Sequence, residues 1–426
     1  MQRHSAHTLF ASGFLGWLRV SFTCLLLLAV SACGSSSGNS ATGSSTGADT
    51  GGSTGDNGPA PVPVSGTPPL AVYGDLTRTD GTESGTVPVF PAGSTKPYSF
   101  LYGLTELNGE FYFQANTPAN SFELWKTNGT PAGTVMVKDI NPGANPAFHY
   151  RFVDFTEFNG ALYFQANDGT NGYELWKTDG TNEGTVMVKD IDTRPGASSS
   201  PSDFTVFNGA LYFSAQDGTP GRKLWRTNGT TAGTEKVLDT NISTGTDILP
   251  DSFSRGFPVL NGSLYFVGSD GAWRTDGTAA GSVFLGDRAS MPWASNLWNG
   301  FGVQHNVLYF QADAGVSNWE LFKTDGGPSM VMVKDINTEN GGRRSDYTFS
   351  QYTAFKGSLY FQTKDNVNGP RFWKTDGTAE GTVLVKDFGV QIIKVTADTL
   401  YFGGGSALWK TDGTVEGTVM VKNYLP

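Results

Sequence analysis

Glu174-Leu-Trp-Lys-Thr-Asp-Gly-Thr-Asn-Glu-Gly-Thr-Val-Met-Val-Lys-Asp-Ile191 decides the fold, because copies of it recur from residue 76 to the end of the 426-residue chain. Its anchors are Arg78-Thr-Asp-Gly-Thr82, Lys126-Thr-Asn-Gly-Thr130, Lys177-Thr-Asp-Gly-Thr181, Arg226-Thr-Asn-Gly-Thr230, Arg274-Thr-Asp-Gly-Thr278, Lys323-Thr-Asp-Gly-Gly327, Lys374-Thr-Asp-Gly-Thr378 and Lys410-Thr-Asp-Gly-Thr414. Successive basic residues lie 48, 51, 49, 48, 49, 51 and 36 positions apart. That period is close to one four-stranded propeller blade, roughly 40 to 50 residues.

The clearest unit spells out four strands. Phe152-Val-Asp-Phe-Thr-Glu-Phe158 alternates apolar with polar and ends at Asn159-Gly160, a strong hairpin signal. Ala161–Ala166, Tyr173–Thr178 and Thr185–Ile191 follow as three further strands. The second returns in seven copies as Phe111-Tyr-Phe113, Leu162-Tyr-Phe164, Leu211-Tyr-Phe213, Leu264-Tyr-Phe266, Leu308-Tyr-Phe310, Leu359-Tyr-Phe361 and Leu400-Tyr-Phe402. Three consecutive apolar residues require both faces of the strand to be buried, as when a blade is sandwiched between two others.

The reading is an all-β propeller of four-stranded antiparallel blades, eight of them with an abbreviated first blade; the alternative is seven with the amino-terminal strands added at the closure. The aromatic column Trp125, Trp176, Trp225, Trp273, Phe322, Trp373 and Trp409 is expected to pack between blades. In the turn, Asp179 and its counterparts give way to Asn128 and Asn228 in two copies, so a short hydrogen-bond acceptor is needed there and a charge is not. Asp139, Asp190, Asp239, Asp287, Asp335 and Asp387 end the fourth strands. Each loop supplies too few oxygens for the 6 to 8 that calcium takes, so no metal is expected. These carboxylates are expected instead to meet the Lys or Arg of the third strand.

Residues 1–32 read as an export signal, with Arg3 and Arg19 ahead of the apolar run Cys24–Val30 and small residues before Cys33. Val30-Ser-Ala-Cys33 resembles the bacterial lipobox, which implies cleavage before Cys33, acylation of Cys33 and a membrane partner reached through the lipid. Gly34 in place of an aspartate implies the outer membrane. Residues 33–69 carry that cysteine and a tether of Gly, Ser, Thr and Pro, too poor in bulky apolar residues to fold alone. Residues 70–426 form the single propeller domain.

The chain has 29 basic and 39 acidic residues, a formal charge of −10 that becomes −12 when Arg3 and Arg19 leave with the signal. That balance disfavours nucleic acid as a partner. After the signal only His149 and His305 remain of the four histidines, and Cys33 is the one cysteine. No His-Glu-x-x-His, glycine-rich phosphate loop or Gly-x-Ser-x-Gly is present, and no cofactor is implied.

The runs Glu123-Leu-Trp-Lys-Thr-Asn-Gly-Thr130 and Glu174-Leu-Trp-Lys-Thr-Asp-Gly-Thr181, followed by Gly-Thr and Val-Lys-Asp-Ile, resemble the ELWxxDGT-repeat proteins of bacteria. The resemblance covers nearly everything after residue 70. It implies secreted or surface-attached β-propellers whose biochemical role is mostly unassigned.

The function expected is a non-enzymatic binding or scaffold module on the cell envelope, for a protein or glycan partner. Function on such a scaffold sits in loops that break the repeat, here 241–251, 289–298 and 337–344. Trp293, Trp298, Arg343 and Arg344 are the candidate contacts, being residue types enriched at interface hot spots. The rival is a hydrolase of envelope polysaccharide, which needs two carboxylates facing each other at about 5 to 9.5 Å.

Overall fold

Asn159 at φ 51° and Gly160 at φ 73° turn Phe158 back onto Ala161. A two-residue hairpin needs this left-handed conformation, and Asn and Gly adopt it most readily. The computed structural model describes residues 69–72, 75–90, 95–98, 101–117, 121–143, 145–148, 155–242, 256–287, 289–295, 301–313, 319–336, 348–365 and 369–424. Residues 61–426 form one unit.

Strands β1 (Pro69–Val72), β2 (Asp75–Arg78) and β3 (Val87–Pro88) make a short sheet. Blade 1 is β4 (Leu101–Leu107), β5 (Glu110–Ala115), β6 (Glu123–Thr127) and β7 (Val135–Lys138). Blade 2 is β8 (Thr156–Phe158), β9 (Ala161–Asn167), β10 (Tyr173–Thr178) and β11 (Val186–Lys189). Blade 3 is β12 (Ser202–Phe207), β13 (Ala210–Ala215), β14 (Arg222–Thr227) and β15 (Glu235–Ile242). Blade 4 is β16 (Val259–Leu260), β17 (Ser263–Val267), β18 (Ala272–Thr275) and β19 (Val283–Gly286). Blade 5 is β20 (Phe301–Gln304), β21 (Val307–Asp313), β22 (Trp319–Thr324) and β23 (Val331–Lys334). Blade 6 is β24 (Thr348–Phe355), β25 (Ser358–Asp365), β26 (Gly369–Thr375) and β27 (Val383–Lys386). Blade 7 is β28 (Val390–Val395), β29 (Leu400–Gly404), β30 (Ala407–Thr411) and β31 (Val419–Asn423). Among the described residues the one helical element is a 3-10 turn, Pro292–Ser295.

The propeller therefore has seven four-stranded blades, and the expected count of eight is corrected. The amino-terminal repeat falls short for a chemical reason. Pro69 stands opposite Arg78 as Tyr212 stands opposite Arg226, so a proline occupies the Tyr position of the second strand. In blade 3 the first strand pairs along the Leu-Tyr segment, Val206 with Leu211 and Thr205 with Tyr212. Proline has no N–H to offer such a strand. The three-stranded sheet stands where the ends of the ring meet, β1 lying against both β28 and β4.

The core lies in the seams between blades. Leu162, Phe164 and Trp176 of blade 2 share a cluster with Leu107, Tyr112, Leu124 and Val137 of blade 1. Tyr163, Leu175 and Val188 point the other way, into a cluster with Leu211, Phe213 and Trp225 of blade 3. The period of two thus sends alternate side chains to the two neighbours. Trp125, Trp176 and Trp225 are 5, 6 and 7% exposed; Trp176 and Trp225 pack between blades, and Trp125 packs against the amino-terminal segment through Leu76, Val89 and Phe90. Each such side chain buries about 150 to 250 Å², a gross stabilisation of roughly 4 to 6 kcal/mol at about 25 cal/mol per Å².

A polar belt runs across the same seams. The Nζ of Lys177 donates to the Gly229 carbonyl at 2.8 Å, Lys323 to Gly377 at 2.7 Å, Lys374 to Gly413 at 2.7 Å and Lys410 to Gly81 at 2.8 Å. These lysines were expected to meet the aspartates that end the fourth strands; they reach the next repeat's turn instead. Asp239 and Asp387 do meet third-strand cations, Lys223 (3.8 Å, with Lys236 closer at 3.0 Å) and Arg371 (2.6 Å), but at the place Glu174 holds in blade 2 and not at the anchor Lys or Arg.

The turn itself is a closed hydrogen-bond set. Thr181 donates its N–H and its hydroxyl to Asp179 Oδ1 at 2.9 and 2.8 Å, and the Thr178 and Thr185 hydroxyls lie 2.7 Å apart. Asn128 and Asn228 accept the same pair of bonds from Thr130 and Thr230, which makes the Asp position structural. Gly180 sits at φ 95°, and a Cβ there would lie 2.0 Å from Tyr112 Oη of the preceding blade.

Candidate functional site

First strands of neighbouring blades lie against one another, β8 with β12, β20 with β24 and β24 with β28, which gathers them around the axis. The fourth strands form the outer rim, where Val135, Met136, Val331, Met332, Val419 and Met420 are exposed. In every first strand one residue stands opposite the first residue of the Leu-Tyr-Phe segment. These residues are Glu106, Glu157, Val206, Val259, Val303, Ala354 and Val395. The next residue along is buried in a seam at Leu107, Phe158, Phe207, Leu260 and Phe355. Alternation therefore turns the seven away from that seam. Glu106, Glu157, Val206, Ala354 and Val395 are exposed, and Val259 and Val303 are half-buried.

At this register position the inner strands are thus acidic on blades 1 and 2 and apolar on blades 3 to 7. On the apolar side a cavity of about 460 Å³ opens between β16, β20 and β24. It is lined by Phe257, Pro258, Val259, Phe301, Gly302, Val303, Tyr352, Ala354 and Leu359, with no charged side chain. Gly302 lets β20 approach its neighbour: a Cβ there would lie 2.8 Å from Tyr352 Cβ and 2.9 Å from Leu359 Cδ1. Complete burial pushes the Tyr352 phenol's ionisation upward, so it stays neutral in this wall. The loops 241–251, 289–298 and 337–344, singled out because they break the repeat, precede β16, β20 and β24 respectively.

Trp293 is corrected as a contact residue. The 3-10 turn carries it inward, where it is 0% exposed, donates Nε1–H to the Gly327 carbonyl at 2.9 Å and packs edge-on to Tyr265. It ties blade 4 to blade 5. Trp298, Arg343, Arg344, Cys33 and His149 lie outside the described residues. His305 forms part of the two-residue turn after β20.

Buried carboxylates serve the loops. Glu174 accepts bonds from Ile191 N at 2.8 Å, Ser199 N at 2.7 Å and Ser199 Oγ at 2.6 Å, and burial raises its pKa. Glu123 accepts from Ile140 N at 2.6 Å; burial, with a contribution from the Asp139 charge, pushes its pKa up to about 8. In blade 3, Asp203 Oδ2 accepts from Ser202 and Ser214, while Arg222 donates to both serines and to the Ser200 carbonyl. That cluster holds together the start of β12, where Ser200 and Asp203 have φ of 47° and 62°. Among the described residues no three or more His, Cys, Asp or Glu gather to hold a metal ion.

Sequence reasoning missed the axial set. Its signal was present, since six of the seven residues lie two positions before a two-residue turn, as in Thr156-Glu-Phe-Asn-Gly160 and Thr205-Val-Phe-Asn-Gly209.

The chain matches no protein-family model, and no curated protein matches it in sequence. Solved structures to which the chain is similar in part include a puromycin-hydrolysing peptidase of Mycobacterium tuberculosis, 11% identical with a TM-score of 0.48, over 79% of this chain and 56% of that one. A prolyl endopeptidase is 10% identical with a TM-score of 0.45, over 76% of this chain and 50% of that one. Oligopeptidase B from Leishmania major is 13% identical with a TM-score of 0.42, over 76% and 48%. The chain spans about half the length of these proteins, and no activity is assigned to it from them.

Proposed function

We propose that this chain is a non-enzymatic, envelope-anchored binding module that holds a protein partner at the axial wall of blades 4 to 6. The observation that carries the reading is the uncharged cavity of about 460 Å³ between β16, β20 and β24, the three strands that follow the repeat-breaking segments in the chain. Its size falls within the roughly 300 to 1,000 Å³ of small-ligand pockets. The lining side chains that are at least partly exposed, Val259, Phe301, Val303 and Ala354, are apolar and suit an apolar side chain of a polypeptide; a glycan needs convergent side-chain hydrogen-bonding groups and an exposed aromatic platform. The address rests on the lipobox-like Val30-Ser-Ala-Cys33 and on the resemblance to ELWxxDGT-repeat proteins.

Two measurements test it. Full-length protein should partition with membranes and Cys33→Ser should not. Envelope extracts passed over full-length protein should yield a partner that is lost on Ala354→Trp, which fills the cavity from an exposed position, while the melting temperature is unchanged. Release of sugar from envelope polysaccharide, or capture unaltered by Ala354→Trp, would contradict the reading.

A further inference from the structure

Resting on the axial-wall reading, we infer that the guest is an extended polypeptide segment that adds to the free edge of β20 as an extra strand and seats an apolar side chain in the cavity. The geometry starts at the end of β20. His305 and Asn306, at φ 52° and 60°, make the two-residue turn whose flanking residues, Gln304 and Val307, form a hydrogen-bonded pair. Opposed residues of an antiparallel ladder alternate between bonded and non-bonded pairs. Gly302 with Tyr309 is therefore bonded, whereas Val303 with Leu308 and Phe301 with Phe310 are not. The main-chain N–H and C=O of Phe301 and Val303 thus point away from β21, and β20 is the edge strand of its sheet on that side. Among the described residues neither makes a backbone hydrogen bond outside its ladder. Both residues line the cavity, and both are half-buried.

The other inner strands are blunted in ways that keep an edge from pairing, by a bulge or by shortness. Register shifts interrupt β4 between Tyr102 and Thr105, β12 between Ser202 and Thr205, β24 between Ser350 and Thr353, and β28 between Ile392 and Lys394. Among the described residues β8 pairs over three residues and β16 over two, and only β20 runs through four successive pairs without interruption. The cavity beside it has no charged side chain, and its one side-chain hydroxyl belongs to the buried Tyr352, so the polar groups it offers are main-chain ones. Donors and acceptors two residues apart, set beside Val259, Val303 and Ala354, complement another main chain with apolar residues at alternate positions. A small apolar molecule would fill the cavity and leave those groups unpaired.

Fluorescence anisotropy with the full-length protein and two labelled heptapeptides tests the inference. One peptide alternates valine with serine; the other has the same side chains with every peptide nitrogen methylated, which removes the donors a strand needs. The first should bind, and the second at least about tenfold more weakly. Val303→Pro removes an N–H that β21 does not use, so it should melt close to wild type and bind the first peptide at least about tenfold more weakly than Val303→Ala, which keeps the edge intact. Phe301→Pro repeats the test at the other free-edge residue, and the methylated peptide requires no variant. Equal binding of the two peptides, or proline variants that bind as wild type, would overturn strand addition while loss of binding on Ala354→Trp leaves the axial wall standing. Binding of neither peptide, or binding indifferent to Ala354→Trp, would overturn the axial-wall reading too.

Discussion

Lys410 Nζ lies 2.8 Å from the carbonyl oxygen of Gly81, a residue 329 positions earlier in the chain. The same contact joins Lys177 to Gly229 within the ring, so closure uses the chemistry of an ordinary seam. Lys422 repeats the pattern on the fourth strand, donating to Thr86 O at 2.6 Å as Lys189 donates to Thr234 O at 2.8 Å. The ends of the propeller are held by side chains reaching the amino-terminal sheet.

Lys410→Met should therefore cost about 1.5 to 3 kcal/mol, the range for a hydrogen bond made by a charged group. Lys177→Met should cost a similar amount. Denaturant midpoints of the two variants check this, and a Lys410 variant as stable as wild type would show that closure does not depend on the Lys410–Gly81 contact.

Trp176→Ala should destabilise by about 3 to 5 kcal/mol, as large core truncations do. Met136→Ser, on the exposed outer strand, should stay within about 0.5 kcal/mol. Equal effects at the two positions would refute the division into packed seams and a solvated rim.

Gly180→Ala carries two penalties, a left-handed backbone and a clash with Tyr112 Oη. Gly160→Ala carries only the first, because nothing lies within 4 Å of its Cβ position. The Gly180 variant should lose more than the roughly 1 kcal/mol expected of the Gly160 variant. Tyr112→Phe should restore part of the difference. A thermodynamic cycle without coupling between positions 112 and 180 would contradict the contact.

These cases show what the sequence made legible. The repeat, the hairpin turns and the burial of Leu-Tyr-Phe on both faces follow from residue type and period, and the strands of the 149–191 unit that can be compared fall where expected, apart from a shorter fourth strand. The blade count did not follow, because it turns on a proline, Pro69, at the Tyr position of a repeat whose anchor, Arg78-Thr-Asp-Gly-Thr82, looks complete. Trp293 was misread because a tryptophan in an irregular loop looks exposed until a 3-10 turn folds it inward. The axial wall needs the strand register, since Glu106 and Val303 are unremarkable until they are placed at one register position.

Glu123 gives the stability a pH dependence whose sign is fixed. Its folded pKa of about 8 lies above the ordinary carboxyl value of 4.5, so between these the folded state holds a proton that the unfolded state has released. The stabilisation is present below the lower value and is lost as pH rises through the higher one. Wild type should lose stability between pH 5 and pH 8 relative to Glu123→Gln, by an amount on the order of a few kcal/mol. Parallel pH profiles for the two proteins would refute the assignment.

The central claim is that partners are held at the axial wall. A photo-crosslinking residue placed at Ala354 on the cavity wall, and separately at Met136 on the outer rim, tests this most directly in full-length protein exposed to envelope extract. Adducts should form from position 354 and not from position 136. Adducts from 136 alone, or from neither, would contradict the claim.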